Sequence, residues 1–336
     1  MLSISRLVKN IKGEKETMKM KKFFKVGALA SAMTLALTGC GSPKNELTEA
    51  YENLVTAKTY EVNTAMTISL EDYNLSDYEL EQLLEGISTL TINAHSLVDN
   101  EKQQSENNLH FNLSLSPLDL SVDLSIFNDV NTGKSYVKVN DFLQIMNNIM
   151  PLAGVPFTFT LPEDIENSIV EMANAESPLT EEQAEKLSND FQTKFTSLLE
   201  ELPKSQFSKD DNEYKFTING QKIETLFIDL IKDNMSTFEL EEVTELEQLD
   251  EMNLIGDVVY VTKIDNGKVV KEEMTIPITF ESENGDSIGL KISVTSDYTN
   301  YDEPINFTFD IENSNLISDD EFLEHMTNNT MSDFGY

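Results

Sequence analysis

Cys40 is the only cysteine of the chain, and His95, His110 and His325 are its only histidines. A lone thiol rules out an internal disulfide framework. It leaves a modified sulfur, or a free cysteine in a cleaved leader or a core. The three histidines fall on two alternating segments and a terminal helical one. They show no His-x-x-x-His or Glu-flanked zinc spacing, so singly bonded or solvent-facing imidazoles are expected. Gly-x-Ser-x-Gly, P-loop and Gly-x-Gly-x-x-Gly motifs are absent from the sequence. Asp129-x-Asn131-x-Gly133 has the start of a calcium loop, but its glycine comes one place early and its twelfth position is Asn140 rather than Glu. A hairpin turn is expected there. The 60 acidic residues could pair anywhere, so their abundance selects no glycosidase pair. The expectation is a non-enzymatic protein with no cofactor, no metal site and no catalytic residue.

The residues ahead of Cys40 give it a setting. Lys19, Lys21, Lys22 and Lys25 form a basic region, an apolar stretch runs over 26–37, and Gly39 precedes the cysteine. This is the layout of a secretory signal. The stretch is shorter than the roughly 20 residues a spanning helix needs. Leu37-Thr38-Gly39-Cys40 resembles the lipobox of bacterial lipoproteins. That resemblance implies cleavage between Gly39 and Cys40, a diacylglyceryl group with palmitate-type chains on the Cys40 thiol, and attachment to a membrane by lipid. Two acyl chains at roughly 0.8 kcal/mol per buried CH₂ would hold it stably. Residues 1–17 are polar and of mixed charge, and Lys12-Gly13-Glu14 is encodable by a purine-rich stretch ahead of the Met18 codon. These residues read as a mis-annotated start, with the signal at 18–39, and the lipidated cysteine and a short tether at 40–46.

The chain carries 24 basic and 60 acidic residues, a net charge of −36. Without 1–39 these become 16 and 58, because that segment holds eight basic and two acidic residues. Such a field repels polyanions and anionic headgroups, so no nucleic-acid partner is expected. Membrane contact must come through the acyl anchor or an apolar rim rather than a basic patch. At 39% apolar residues the chain can build a core. It has no tryptophan, which lowers the case for a sugar cleft.

The positioning elements follow from periodicity. Leu47, Ala50, Tyr51, Leu54 and Ala57 share one helical face directly after the tether. Period-two segments with one wet face follow at 60–70, 90–98, 109–115 and 118–126, with Pro117 breaking the run, and a strand at 136–139. A helical middle over 140–205 is expected: Asp141 as N-cap of a helix over 142–150, a helix over 163–175, and one from a capping-box start at Thr180 to Leu202. Then come a strand at 214–218, a helix over 223–231 and an acidic helical segment over 239–252. Strands at 258–264 and 274–280 flank Asp265-Asn266-Gly267, a tight-hairpin signal. Strands at 288–294 and 305–311, a helix over 319–326 and a frayed tail at 328–336 complete the chain.

One-sided strands need a shared cover, and the helices need a surface. An α+β fold answers both: a curved antiparallel sheet, or half-barrel, wrapped around or covered by helices, in one domain over 47–327. This order of elements, the lipobox at 37–40 and Ala57-Lys58-Thr59-Tyr60 leading into the first strand resemble the half-barrel lipoprotein carriers of the LolA/LolB-like and LppX/LprG-like kind. The resemblance implies a lipid or other apolar ligand in the half-barrel. Met66, Ile68, Leu113, Leu120, Leu124, Ile276, Phe280, Leu290 and Phe307 are candidate wall residues. The alternative is a cell-surface interaction or structural lipoprotein with a filled core that binds a protein or wall component. The expected location is the extracytoplasmic face of a Gram-positive cell membrane, although Gly41 also suits outer-membrane sorting.

Overall fold

The computed structural model describes residues 43–74, 76, 87–115, 118–152, 159–172, 181–234, 255–281 and 285–333. Cys40, its leader, Pro117, Thr180 and the acidic segment 239–252 lie outside the described residues. Twelve strands form one curved, unclosed sheet, antiparallel except at one edge, and the fold is mixed α/β. In chain order they are β1 (Thr59–Asn74), β2 (Ile87–Asp99), β3 (Gln104–Leu115), β4 (Leu118–Asp129), β5 (Lys134–Lys138), β6 (Ile169–Met172), β7 (Ser208–Asp210), β8 (Glu213–Ile218), β9 (Val258–Asp265), β10 (Lys268–Glu281), β11 (Ser287–Thr299) and β12 (Leu316–Ser318). The spatial order is β12-β6-β5-β4-β3-β2-β1-β11-β10-β9-β8-β7. Two meanders, β1 to β5 and β7 to β11, meet where β1 pairs with β11.

The helices are α1 (Pro43–Thr56), α2 (Val139–Leu152), α3 (Glu163–Glu166), α4 (Glu181–Glu201), α5 (Gly220–Asp233) and α6 (Asp319–Asp333). None is long and apolar enough to cross a membrane. The β9–β10 turn is a tight hairpin, with Asn266 at φ 50° and Gly267 at φ 75°, both in the left-handed region that such turns require. Gly220 opens α5 because a Cβ there would lie 1.8 Å from the Ile255 carbonyl oxygen.

Alternation splits the sheet into two faces. The apolar face carries α1, α4 and α5 over one flank. Leu47, Ala50, Phe191, Phe195, Phe216, Ile218 and Val258 are buried there together. At the other flank Val139, Leu143, Ile165, Val170, Ile317 and Phe322 join α2, α3 and α6 to β6 and β12. A third, smaller cluster lies on the polar face, where Phe127, Tyr136 and Ile169 meet Phe309.

Three expectations are corrected. The helix expected over 163–175 ends at Glu166, and 169–172 is β6. The β-branched pair Ile169-Val170 pairs with β5 and supplies an apolar residue to each face, so the middle over 140–205 is not purely helical. Asp141 does not cap its helix, which starts at Val139; its Oδ2 accepts the Ser125 N–H at 2.8 Å. The segment 305–311 is not a sheet strand. β11 is already paired on both sides, so the chain leaving it has no edge to join. It turns through left-handed Asn300 and Asp302 and crosses the polar face as a strap. Glu106 on β3, fully buried, holds the strap. Its Oε2 accepts the N–H groups of Thr308 at 2.5 Å and Phe309 at 3.3 Å, and its Oε1 accepts the Thr308 hydroxyl at 2.6 Å. The strap ends at β12, which pairs parallel with β6.

Candidate functional site

Register lays the apolar face out in rows. Ile276, Ile292, Ile68, Leu90, Leu113 and Leu120 form one row across six strands, and Met274, Val294, Met66, Ile92, Phe111 and Val122 form the next. Rows repeat about every 7 Å along the strands. At the flanks the face is sealed by helices. In the middle, on β11, β1, β2 and β3, the same rows are half-buried, and none of their residues enters a buried cluster.

The expected wall residues separate accordingly. Met66, Ile68, Leu113, Leu120, Ile276 and Leu290 lie half-buried on the apolar face; Leu124 is buried there and Phe280 is exposed at 42%. Phe307 is corrected. It belongs to the strap and meets the Phe127 ring edge-on, with centroids 5.1 Å apart, on the opposite face. A strand assignment for 305–311 put it on the wall; without that strand it has no place in the register.

Toward one end of the strands the apolar pattern gives way to mixed rows, the first of them Thr262, Glu272, Ser296, Thr64, Ala94 and Leu109 and the next Tyr298, Val62, Ser96, Asn107 and Ile126. From β8 across to β4, Glu272 is the only acidic or basic side chain in register with the apolar face; Glu71, at the β1 bulge, turns to Lys291 on the other side. Glu272 sits under α1. Its carboxylate accepts the hydroxyls of Tyr51, from α1, and Tyr298, from β11. Tyr51 Oη also lies 3.0 Å from Thr262 Oγ1, and Thr64 Oγ1 lies 2.9 Å from Ser296 Oγ. Tyr60 packs its ring 6.3 Å from both Tyr298 and Tyr301. Tyr260 stacks on Phe216 at 4.8 Å.

Burial pushes the Glu272 carboxyl above its ordinary value, against the lowering by the two tyrosine hydroxyls. Burial first, and then the Glu272 charge, push Tyr51, Tyr260, Tyr298 and Tyr301 up. Among the described residues no Lys, Arg or His is paired with this carboxylate. The cluster therefore holds one acid, hydroxyl donors and aromatic faces. Chemically that is a site for a hydrogen-bond donor or a cation.

The sequence carried a signal for Glu272 that segment assignment missed. Starting the strand at 274 left Glu272 outside it. Continued back by one step, the even-numbered apolar positions 274, 276, 278 and 280 place Glu272 on the apolar face.

The other candidates remain apart. His95 Nε2 lies 2.6 Å from Glu61 Oε1, and His110 Nδ1 lies 2.7 Å from Asp123 Oδ1, both on the polar face. The His95 hydrogen bond is the main reason the Glu61 carboxyl lies below its ordinary value. His325 lies on α6. Among the described residues no three His, Cys, Asp or Glu side chains group to hold a metal. Asp129 and Asn131 form the expected turn, with Asp129 Oδ1 accepting the Asn131 N–H at 3.0 Å and Gly133 at φ 65°.

No family model and no curated protein matches the chain. Among solved structures, a 12:0-ACP thioesterase from Umbellularia californica aligns over 82% of this chain and 86% of its own, at 9% identity. Its TM-score of 0.13 is too low to bear on fold or function.

Proposed function

We propose that this protein is a non-enzymatic, lipid-anchored lipoprotein of the extracytoplasmic membrane face that holds a lipid or other apolar ligand against the half-barrel's apolar face. One observation carries the reading. The apolar rows run unbroken from β10 to β4, yet in the middle their large side chains are left half-buried between two helix-covered flanks. Apolar surface of this extent gains about 25 cal/mol per Å² when covered, so an apolar ligand has a favourable place to lie. The anchor rests on Leu37-Thr38-Gly39-Cys40. α1 begins at Pro43 and is fastened to the sheet, which would keep the face within a short tether of the membrane.

Native mass spectrometry of the full chain purified from membranes, with organic extraction of the same sample, tests both parts. The expected result is a mass shift at Cys40 from acyl chains and a separate, extractable apolar adduct. A protein free of adduct that stays unloaded after incubation with membrane extract would replace this reading with that of an interaction lipoprotein with a filled core.

A further inference from the structure

We propose that Glu272 and its tyrosines form the head-group end of the apolar face and select amphiphiles whose polar head is a cationic amine. This rests on the apolar-ligand reading above and goes on to name the class of ligand. Three observations carry it. From β8 across to β4, Glu272 is the one charge-bearing position in register with the apolar face, and it stands beside Ser296 and Thr64, where the apolar rows end and the half-buried middle begins. Its shell is made of hydroxyl donors and aromatic rings: Tyr51 and Tyr298 donate, and Tyr60 and Tyr301 stack at the edge. No basic side chain of the described residues neutralises it, and the whole chain carries −36.

A half-buried carboxylate closed in by α1 and tyrosine rings is costly without a cation, and an incoming ammonium would supply the missing charge. Tyrosine faces attract the same ion through their quadrupoles. An anionic head meets repulsion from Glu272 and from the field of the whole chain. A neutral head gains only hydrogen bonds. With the head at Glu272, a tail laid along the strands passes Met274, Ile276 and Ile278 and their neighbours on β11 and β1, about 20 Å of apolar wall.

The test compares two probes with the same tail, dodecyltrimethylammonium and dodecyl maltoside, each titrated below its micelle concentration into the full chain. Binding is read by tyrosine fluorescence, which is undisturbed because the chain has ten tyrosines and no tryptophan. The expected result is about tenfold tighter binding of the ammonium probe. Glu272→Gln should abolish this preference and bring the two probes to similar affinity. Glu273→Gln, one residue along and exposed on the opposite face, should keep it. A preference that survives Glu272→Gln, or that falls equally in Glu273→Gln, would assign it to the general field and overturn the proposal. Equal binding of both probes to the unaltered chain would overturn the head-group assignment alone. Binding of neither would overturn the apolar-ligand reading with it. Should Glu272→Gln not fold, Tyr60→Leu removes an aromatic face without touching the carboxylate's hydrogen bonds. It should lower ammonium affinity several-fold, and an unchanged ratio would count against the proposal.

Discussion

The flank of the sheet under α1, α4 and α5 and the middle over β11, β1, β2 and β3 are made of the same kinds of residue, yet they end in different states. Under the helices, Leu47, Ala50, Phe191, Ile218 and Val258 are at most 2% exposed. In the middle, Met66, Ile68, Ile92, Leu113 and Ile292 remain half-buried. Strand periodicity is equally clear in both regions, so alternation alone does not decide burial. Coverage decides it, and coverage depends on where the connections between strands pass. α4 and α5 lie in the connections leading to β7 and β9, at one end of the sheet, whereas tight turns join β2 to β3 and β4 to β5 and bring no helix to the middle. A sealed flank is a core, whereas the middle, among the described residues, keeps its apolar side chains partly exposed.

The largest expected effect lies in the sealed flank. Phe191→Ala removes a ring stacked on Phe195 with centroids 5.8 Å apart, and should cost about 3–5 kcal/mol in urea unfolding. Ile92→Ala in the middle should cost about 1–2 kcal/mol, since that side chain is only partly buried. Equal losses would remove the distinction between core and open wall. Next comes the strap. Glu106→Ala strands the N–H groups of Thr308 and Phe309 in a buried place and should cost about 2–3 kcal/mol, with faster amide exchange at those two positions by NMR. Unchanged exchange there would show that aromatic packing on Phe127 holds the strap without the carboxylate.

The smallest effect is the dependence on pH at the border between the two regions. Glu272 binds its proton more tightly folded than unfolded, because burial raises its folded value above the ordinary 4.5. Its contribution to stability is therefore most favourable below the ordinary carboxylate range and is lost as pH rises through the raised folded value. Glu46, Glu61, Asp99, Asp190 and Asp302 are held low and act in the opposite sense, losing their contribution as pH falls through their folded values. Thermal melts of Glu272→Gln across mildly acidic to neutral pH should show a gain over the unaltered chain that grows with pH. A constant offset would mean that the carboxylate is as well solvated folded as unfolded.

Much of the fold was legible because it rests on local rules. One-sided alternation marked the long strands, Asp265-Asn266-Gly267 marked the β9–β10 hairpin, and the apolar face of 47–57 marked α1. Two of the failures, those at 169–172 and 305–311, share one cause. Ile169-Val170 became a strand because β5 offered an open edge, and Phe307 left the wall because β11 offered none. Edge availability is a property of the assembled sheet and leaves no trace in a local window of sequence. The candidate site was half legible in the same way. Its apolar rows followed from periodicity, while the convergence of Tyr51 with Tyr298 on Glu272 joins residues more than 200 positions apart.

By itself the sequence determined the strand faces, the acidic surface, the lone Cys40 behind its signal-like leader, and the absence of known catalytic motifs, because each depends only on residue type and short spacing. The tertiary structure alone decided which apolar rows are sealed and which stay half-buried, where the strap crosses, and that one carboxylate is held by two tyrosine hydroxyls. Those outcomes depend on which strands become neighbours and which connections cross which face, and only the folded chain settles that.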